Sequence, residues 1–312
     1  MSKVRSIAKT RDRARLGLTG AELRIGISGW RYSGWRGEFY PKDLVQDREL
    51  EFAASTFNSV EINGSFYSLQ LPSSYRRWHD VTPPEFLFAV KGGRFITHMK
   101  KLRGVETALA NFFASGVLAL RYKLGPILWQ LPPNLGFDPD RLGKFFALLP
   151  RNFREASTLG KKHDDKLKAR AYTKVDPAME KRPLRHALEV RHPNFMTPSF
   201  FNLLRSENIG FVIADTARKF PYSEDLTSDF VYIRLHGAEQ LYVSGYNDLA
   251  LDWWANRIRL WRKGRQPPDA SLIANKKPDN QARDVFVYFD NDAKVHAPFD
   301  AMRLAERLKG SD

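Results

Sequence analysis

Eight short runs rich in β-branched and aromatic residues recur along this 312-residue chain, and most stretches between them carry helical periodicity. The runs are Arg24–Trp30, Ser59–Asn63, Phe86–Lys91, Pro126–Leu131, His186–Arg191, Phe211–Asp215, Phe230–His236 and Val285–Asp290. Helices are expected over Asp43–Phe57, Gly104–Ala119, Asp138–Leu149, Ser199–Ser206, Asp248–Arg262 and Pro298–Leu308. Alternating strand and helix predicts parallel pairing, because each crossover returns the chain to the same end of the sheet. Eight units with a final helix predict an α/β fold, a TIM-type (β/α)8 barrel in a single domain. An open doubly wound sheet fits less well, since no glycine-rich phosphate loop follows the first run.

Residues 1–22 read as a basic disordered leader and residues 23–310 as the barrel. Within it, residues 151–183 form a charged insertion and residues 263–283 a Gly/Pro/Asn-rich connection before the last strand, both expected as surface excursions. Asp138-Pro139 and Asn247-Asp248 carry the residue types that cap and open helices. Trp253, Trp254, Ile258 and Trp261 follow at helical spacing and are expected to pack against the barrel.

A hydrophobic content of 43% supplies enough apolar material for a core. The absence of cysteine excludes disulfides, thiolate nucleophiles and Cys-ligated zinc. No apolar run approaches ~18 residues, so no membrane span is expected. The basic N-terminus lacks the apolar stretch of a signal peptide, and a cytoplasmic location is expected. The net charge of +15 is uneven: residues 1–20 and 151–185 together hold eleven of the excess positive charges. These segments are the places where a nucleic acid backbone could bind, through residues 1–20 and 151–183.

Strands of a parallel barrel are covered on both faces and ordinarily read as continuous apolar runs. Several of these do not. Val60 and Ile62 alternate with Ser59, Glu61 and Asn63; Leu188 and Val190 with Ala187, Glu189 and Arg191; Val231, Ile233 and Leu235 with Tyr232, Arg234 and His236. A period of two sends each set to one face. The apolar set must lie under the helices, so the polar set points into the barrel and gathers toward its C-terminal end. The same end is expected to supply Ser28, Trp30, Lys91, Gln130, Asp215, Asp290 and Asn291.

An unpaired buried ion costs several kcal/mol, so these charges must be paired, hydrogen-bonded or wet. Lys91, Arg191 and Arg234 face Glu61, Glu189, Asp215 and Asp290, with His236 able to change charge near neutral pH. Glu61, Glu189 and His236 are the expected proton-moving residues, with His236 at the rim. Arg191 and Arg234 are expected to clamp an anionic group, Lys91 to hold an anion, and Asp290 with Asn291 to orient hydroxyls; Ser28, Trp30, Asn63, Gln130 and Asp215 complete the substrate-binding set. His79, His98, His163 and His192 fall in helices or loops and read as incidental.

The run Ile25 to Trp30, continuing to Trp35 and Phe39-Tyr40-Pro41, and the run Phe57 to Asn63 with Ser65-Phe66-Tyr67 resemble the YecE-like family, the domain of unknown function numbered seventy-two. Blocks at Phe88 to Gly92 with Thr97-His98, Gly125 to Pro132, His186 to Pro193, Ala214 to Thr216, Tyr232 to Gly237 with Tyr242 and Gly245-Tyr246, and Val287 to Asp292 extend the resemblance over about residues 23–310. It implies a TIM-type barrel and assigns no catalytic role. The tail before Ala21 lies outside it, and the basic insertion corresponds to a variable loop.

The leading expectation is a hydrolase or lyase acting on a small anionic or sugar-like substrate. A metal-dependent nuclease or isomerase is the alternative, since Glu61, Glu189, Asp215, His236 and Asp290 also form an oxygen-and-imidazole set, though the interleaved cations compete for those oxygens. A non-catalytic nucleic-acid-binding protein is the third reading. The sequence requires no cofactor or metal and leaves oligomeric state and substrate open.

Overall fold

The computed structural model describes residues 21–167, 170–274 and 279–310. The leader therefore lies outside the described residues except for Ala21 and Glu22. These two already belong to the fold: Arg262 Nη2 donates to the Ala21 carbonyl at 2.9 Å.

Strands β1 (Leu23–Ser28), β2 (Ser59–Ile62), β3 (Leu87–Lys91), β4 (Leu124–Gln130), β5 (His186–Glu189), β6 (Gly210–Asp215), β7 (Phe230–Leu235) and β8 (Asp284–Phe289) pair in sequence order. All pairs are parallel, and β8 closes on β1. The expected TIM-type barrel is thus the observed one. Period-two alternation divides the core in two. Val60, Ile62, Leu188, Val190, Val231, Ile233 and Leu235 join the outer core. Inside the barrel, Ala89, Leu128, Ala187, Val212, Ala214, Phe230, Tyr232, Phe286 and Tyr288 form a separate cluster. Below it, at the N-terminal end, Arg24 pairs with Glu22 at 3.2 Å and Arg185 with Asp284 at 2.7 Å.

Among the described residues, eight α-helices of eight residues or more cover the strands, besides the single turn Gly64–Tyr67: α1 (Glu49–Thr56), α2 (Pro72–Asp80), α3 (Glu106–Ala114), α4 (Pro139–Leu148), α5 (Phe153–Gly160), α6 (Pro198–Ser206), α7 (Asp248–Arg262) and α8 (His296–Leu308). The expected caps are present, with Asp138 accepting from the Arg141 N–H and Asn247 from the Ala250 N–H. α1 starts later than expected, after a 3-10 turn at Gln46–Arg48. The helix expected to run to Ala119 stops at Ala114, because Gly116 adopts φ +120° and a Cβ there would come within 2.6 Å of Pro72 Cα. The chain continues as the 3-10 segment Val117–Lys123.

Both expected surface excursions do more than bridge. Within residues 151–183, α5 is capped by Asn152 and buries Phe153 and Ala156. The Tyr172 N–H donates to the Ala114 carbonyl at 2.7 Å, tying the segment to α3. Its Arg151 pairs with Glu207 and its Arg154 with Glu180. No helix links β6 to β7; residues 216–220 turn, with Ala217 and Arg218 at positive φ, and residues 221–229 continue without a helix or strand. Buried Asp225 accepts from the N–H groups of Ile273 and Ala274, and Glu224 from that of Ser271, so residues 263–274 are fastened over the gap. Trp254 and Trp261 are buried as expected, whereas Trp253 is 39% exposed with the Arg257 guanidinium 3.3 Å from its ring centre. No helix among the described residues is long and apolar enough to cross a membrane.

Candidate active site

The barrel's own ions occupy its N-terminal end, and the inner apolar layer fills its middle, so polar side chains meet at the C-terminal ends of the strands. Arg234, on β7, is fully buried and lies at the centre of the cluster. Its Nη2 donates to Glu61 Oε1 at 2.8 Å, to Asp290 Oδ2 at 2.9 Å and to Ser28 Oγ at 3.1 Å. Its Nη1 reaches Glu189 Oε2 at 2.8 Å and its Nε reaches Glu61 Oε2 at 3.1 Å. One guanidinium thereby joins β1, β2, β5, β7 and the end of β8. A planar five-donor fork suits this sharing, which a lysine ammonium could not reproduce.

Glu61 has no oxygen to spare. Beyond Arg234, it accepts from Ser28 Oγ at 2.5 Å and from the Tyr232 hydroxyl at 2.6 Å. Glu189 gives its second oxygen to Arg191 Nε at 3.0 Å. Burial alone would raise the Glu189 carboxyl, but Arg234 and Arg191 outweigh it and hold the group well below the ordinary carboxylate range. Asp290, opposed in the same way by burial and by Arg234 and His236, is also held low. Glu189 and Asp290 are fixed anions.

His236 is completely buried, which corrects the expectation that its ring sits at the rim. Its Nε2 lies 3.4 Å from Arg234 Nη1, a group that can only donate, so Nε2 is the acceptor and the ring proton belongs on Nδ1. Nδ1 lies 3.0 Å from Asp290 Oδ2, off the line of a good hydrogen bond. The imidazole thus serves the ion cluster rather than an approaching ligand.

Ser28, Asn63, Lys91, Gln130, Arg191 and Asp290 sit with Glu61, Glu189 and Arg234 on the inward register or its continuation. Asn63 Nδ2 donates to Ser28 Oγ at 2.9 Å, while its Oδ1 is buried with no partner among the described residues. Three expected ligand contacts are placed elsewhere. Asp215 is out of phase with inward Ala214 and accepts from the Tyr246 hydroxyl at 3.1 Å. Asn291, one residue beyond inward Asp290, donates to the Ser244 carbonyl at 3.1 Å and to Asp300 Oδ2 at 3.0 Å. Trp30 is 7% exposed and meets Trp78 edge-on at 5.2 Å. A one-residue step reverses the face of a strand side chain, which moves the first two behind the wall.

Lys91 ends β3 and is 8% exposed. No carboxylate among the described residues lies within ion-pair distance of its Nζ, which instead faces the Phe66 ring at 4.5 Å. Burial, with Arg234 adding repulsion, lowers its pKa to about 8. Arg191 rests on Phe220 at 4.6 Å and donates to the Tyr242 hydroxyl at 3.2 Å. Tyr242 holds φ at +65°, an uncommon conformation for a bulky residue and one that marks stored strain.

Sequence reasoning passed over three groups here. His98, read as incidental, stacks edge-on against Phe66 at 5.1 Å, and burial with Lys91 and Arg191 lowers it to about 4. Tyr32 donates to the Ser28 carbonyl at 2.5 Å. Asp292, half-buried two residues past Asp290, is raised to about 6 by burial and by Asp290. A second acid beyond the β8 end was the available signal for Asp292; nothing in helical or strand periodicity marks Tyr32 or His98.

The metal-ligand set is not assembled. Arg234 occupies oxygens of Glu61, Glu189 and Asp290, Asp215 faces away, and no group of three His, Asp or Glu side chains suited to a metal occurs among the described residues.

The profile of the family described as "Protein of unknown function DUF72" matches residues 24–312. The chain belongs to the DUF72 family. UPF0759 protein YunF of Bacillus subtilis (strain 168) is 31% identical over 116 residues, covering 36% of this chain and 40% of YunF. UPF0759 protein YecE of Escherichia coli (strain K12) is 28% identical over 132 residues, 42% of this chain and 46% of YecE. The matches thus span less than half the length of these curated relatives. A DUF72 family protein from Thermotoga maritima superposes with a TM-score of 0.70 at 22% identity, covering 92% of this chain and 99% of that one. Another from Enterococcus faecalis gives 0.65 at 16%, covering 92% and 95%. Both share the DUF72 barrel as a fold.

Proposed function

We propose that the C-terminal mouth is an enzyme active site, of hydrolase or lyase type, for a small anionic, sugar-like substrate. The observation that carries this reading is Lys91: a largely buried ammonium at the mouth that pairs with no carboxylate among the described residues. A cluster built only for stability gains nothing from such a cation, because burying it unpaired is costly. The Phe66 ring lies against it and Phe220 and Tyr242 lie against Arg191, aromatic groups that suit a ring or a flat substrate, with Arg191 suited to its anionic group.

Hydrolysis with Glu61 and Glu189 as the working pair is not what this geometry favours. Both are saturated by arginine, and a general acid must carry a proton. Asp292, raised to about 6, and Lys91, lowered to about 8, bracket neutral pH and are the better proton-transfer groups.

The test is the melting temperature measured with inorganic phosphate, glucose 6-phosphate and glucuronate. At least one should raise it, and Arg191→Ala should fold yet lose most of the rise. The reading is overturned if none raises it or if Arg191→Ala responds like the parent.

A further inference from the structure

Among the described residues, Lys91 is the one cation of the inner mouth that does not share the carboxylates of the cluster. Arg234 holds Glu61, Glu189 and Asp290, and Arg191 holds Glu189. The backbone beneath Lys91 is nonetheless firmly placed. Ser65 Oγ donates to the Lys91 carbonyl at 2.6 Å, and the Gly92 N–H donates to the Leu128 carbonyl at 2.8 Å. Trp129 presses so closely that a Cβ on Gly92 would come within 2.3 Å of its ring. A rigid strand end thus presents an amine on an aromatic face, with Arg191 available for an anionic group.

Resting on the reading of the mouth as a site for a small anionic substrate, we propose that Lys91 Nζ is a nucleophile that forms a Schiff base with the carbonyl carbon of an anionic aldehyde or ketone. The lone pair of the free amine adds to the carbonyl carbon, and the π electrons move onto the oxygen. A proton passes from nitrogen to that oxygen, giving a carbinolamine. The hydroxyl and the remaining N–H proton leave together as water, and the C=N bond forms. Protonated, this imine takes the electron pair of an adjacent C–C or C–H bond, releasing a carbonyl fragment or a proton and leaving an enamine; a proton returned to the enamine carbon restores the iminium, and water adds to it to free the carbonyl product and the amine. Neither an oxidant nor a reductant takes part.

The chemical setting fits. Burial and the charge of Arg234 keep part of the Lys91 population unprotonated near neutrality, which is how a lysine becomes nucleophilic. His98, itself influenced by the Lys91 charge and lowered to about 4, is a neutral imidazole beside the amine.

The test combines trapping with binding. The protein is incubated with glyceraldehyde 3-phosphate or pyruvate and sodium cyanoborohydride near neutral pH, and the modified peptides are mapped by mass. Lys91 should be alkylated roughly tenfold faster than exposed lysines such as Lys42 and Lys144, as a lower amine pKa dictates. Lys91→Arg should show no adduct at position 91, and the melting temperature with inorganic phosphate is followed in the parent protein. Labelling of Lys91 no faster than that of Lys42 overturns the nucleophile, and if phosphate still stabilises the parent, the binding site survives that failure. If phosphate, glucose 6-phosphate and glucuronate all leave the melting temperature unchanged and Lys91 is unlabelled, both proposals fall.

Discussion

Arg234 is the residue on which the mouth depends. With no solvent exposure and three carboxylates around it, its replacement leaves buried anions without their counter-charge. Arg234→Met should therefore cost about 3–5 kcal/mol in urea-induced unfolding, the range for breaking a buried pair from one side. Proton occupancy gives a second expectation. Lys91 is cationic below about pH 8 and neutral above it, so phosphate binding measured by calorimetry should weaken as pH rises through about 8. Lys91→Arg should remove that step, because a guanidinium stays charged. Glu189 and Asp290 act at the other end of the scale. Their depressed folded pKa values contribute stability that is present above the ordinary carboxylate range and lost as pH falls through the folded values. At this scale the sequence was informative wherever period two held: Glu61, Glu189, Arg234 and Lys91 converge as their alternation implies. It misled at the outward-phased Asp215 and one step past inward Asp290, at Asn291, and it could not reveal that His236 is enclosed, since enclosure depends on Tyr242 and Asp290 coming against it from the following loop and the end of β8.

At the scale of elements, strands were more legible than their crossovers. Alternation and β-branched content locate all eight strands to within a few residues, because the inner and outer faces of a barrel impose different chemistry on successive positions. Helix limits depend on contacts distant in sequence, as Gly116 against Pro72 demonstrates. α2 escaped because its exposed face is polar and its one buried residue is Tyr75. The charge of residues 151–183 concealed α5, whose Phe153 is 1% exposed. If α5 is part of the core, Phe153→Ala should lower stability by about 3–5 kcal/mol in chemical denaturation, whereas a solvated loop would lose almost nothing.

For the whole molecule, the walls of the barrel are unequal. Helices run along most of its circumference, but between β6 and β7 the cover is a turn followed by irregular chain, fastened by Glu224 and Asp225. Amide hydrogen exchange should therefore be faster over residues 217–222 than over α6 and α7, measured by mass spectrometry on peptides from each. Phe220 belongs to this stretch and lies beside Arg191. Moving it aside requires no ladder of i to i−4 bonds to unzip, whereas enlarging the cup anywhere along α6 or α7 means displacing a wound and packed rod. On the proposed reading of the mouth as a substrate site, ligands of different girth should be accommodated from this flank, and variants with altered size tolerance should be sought first among residues 216–222.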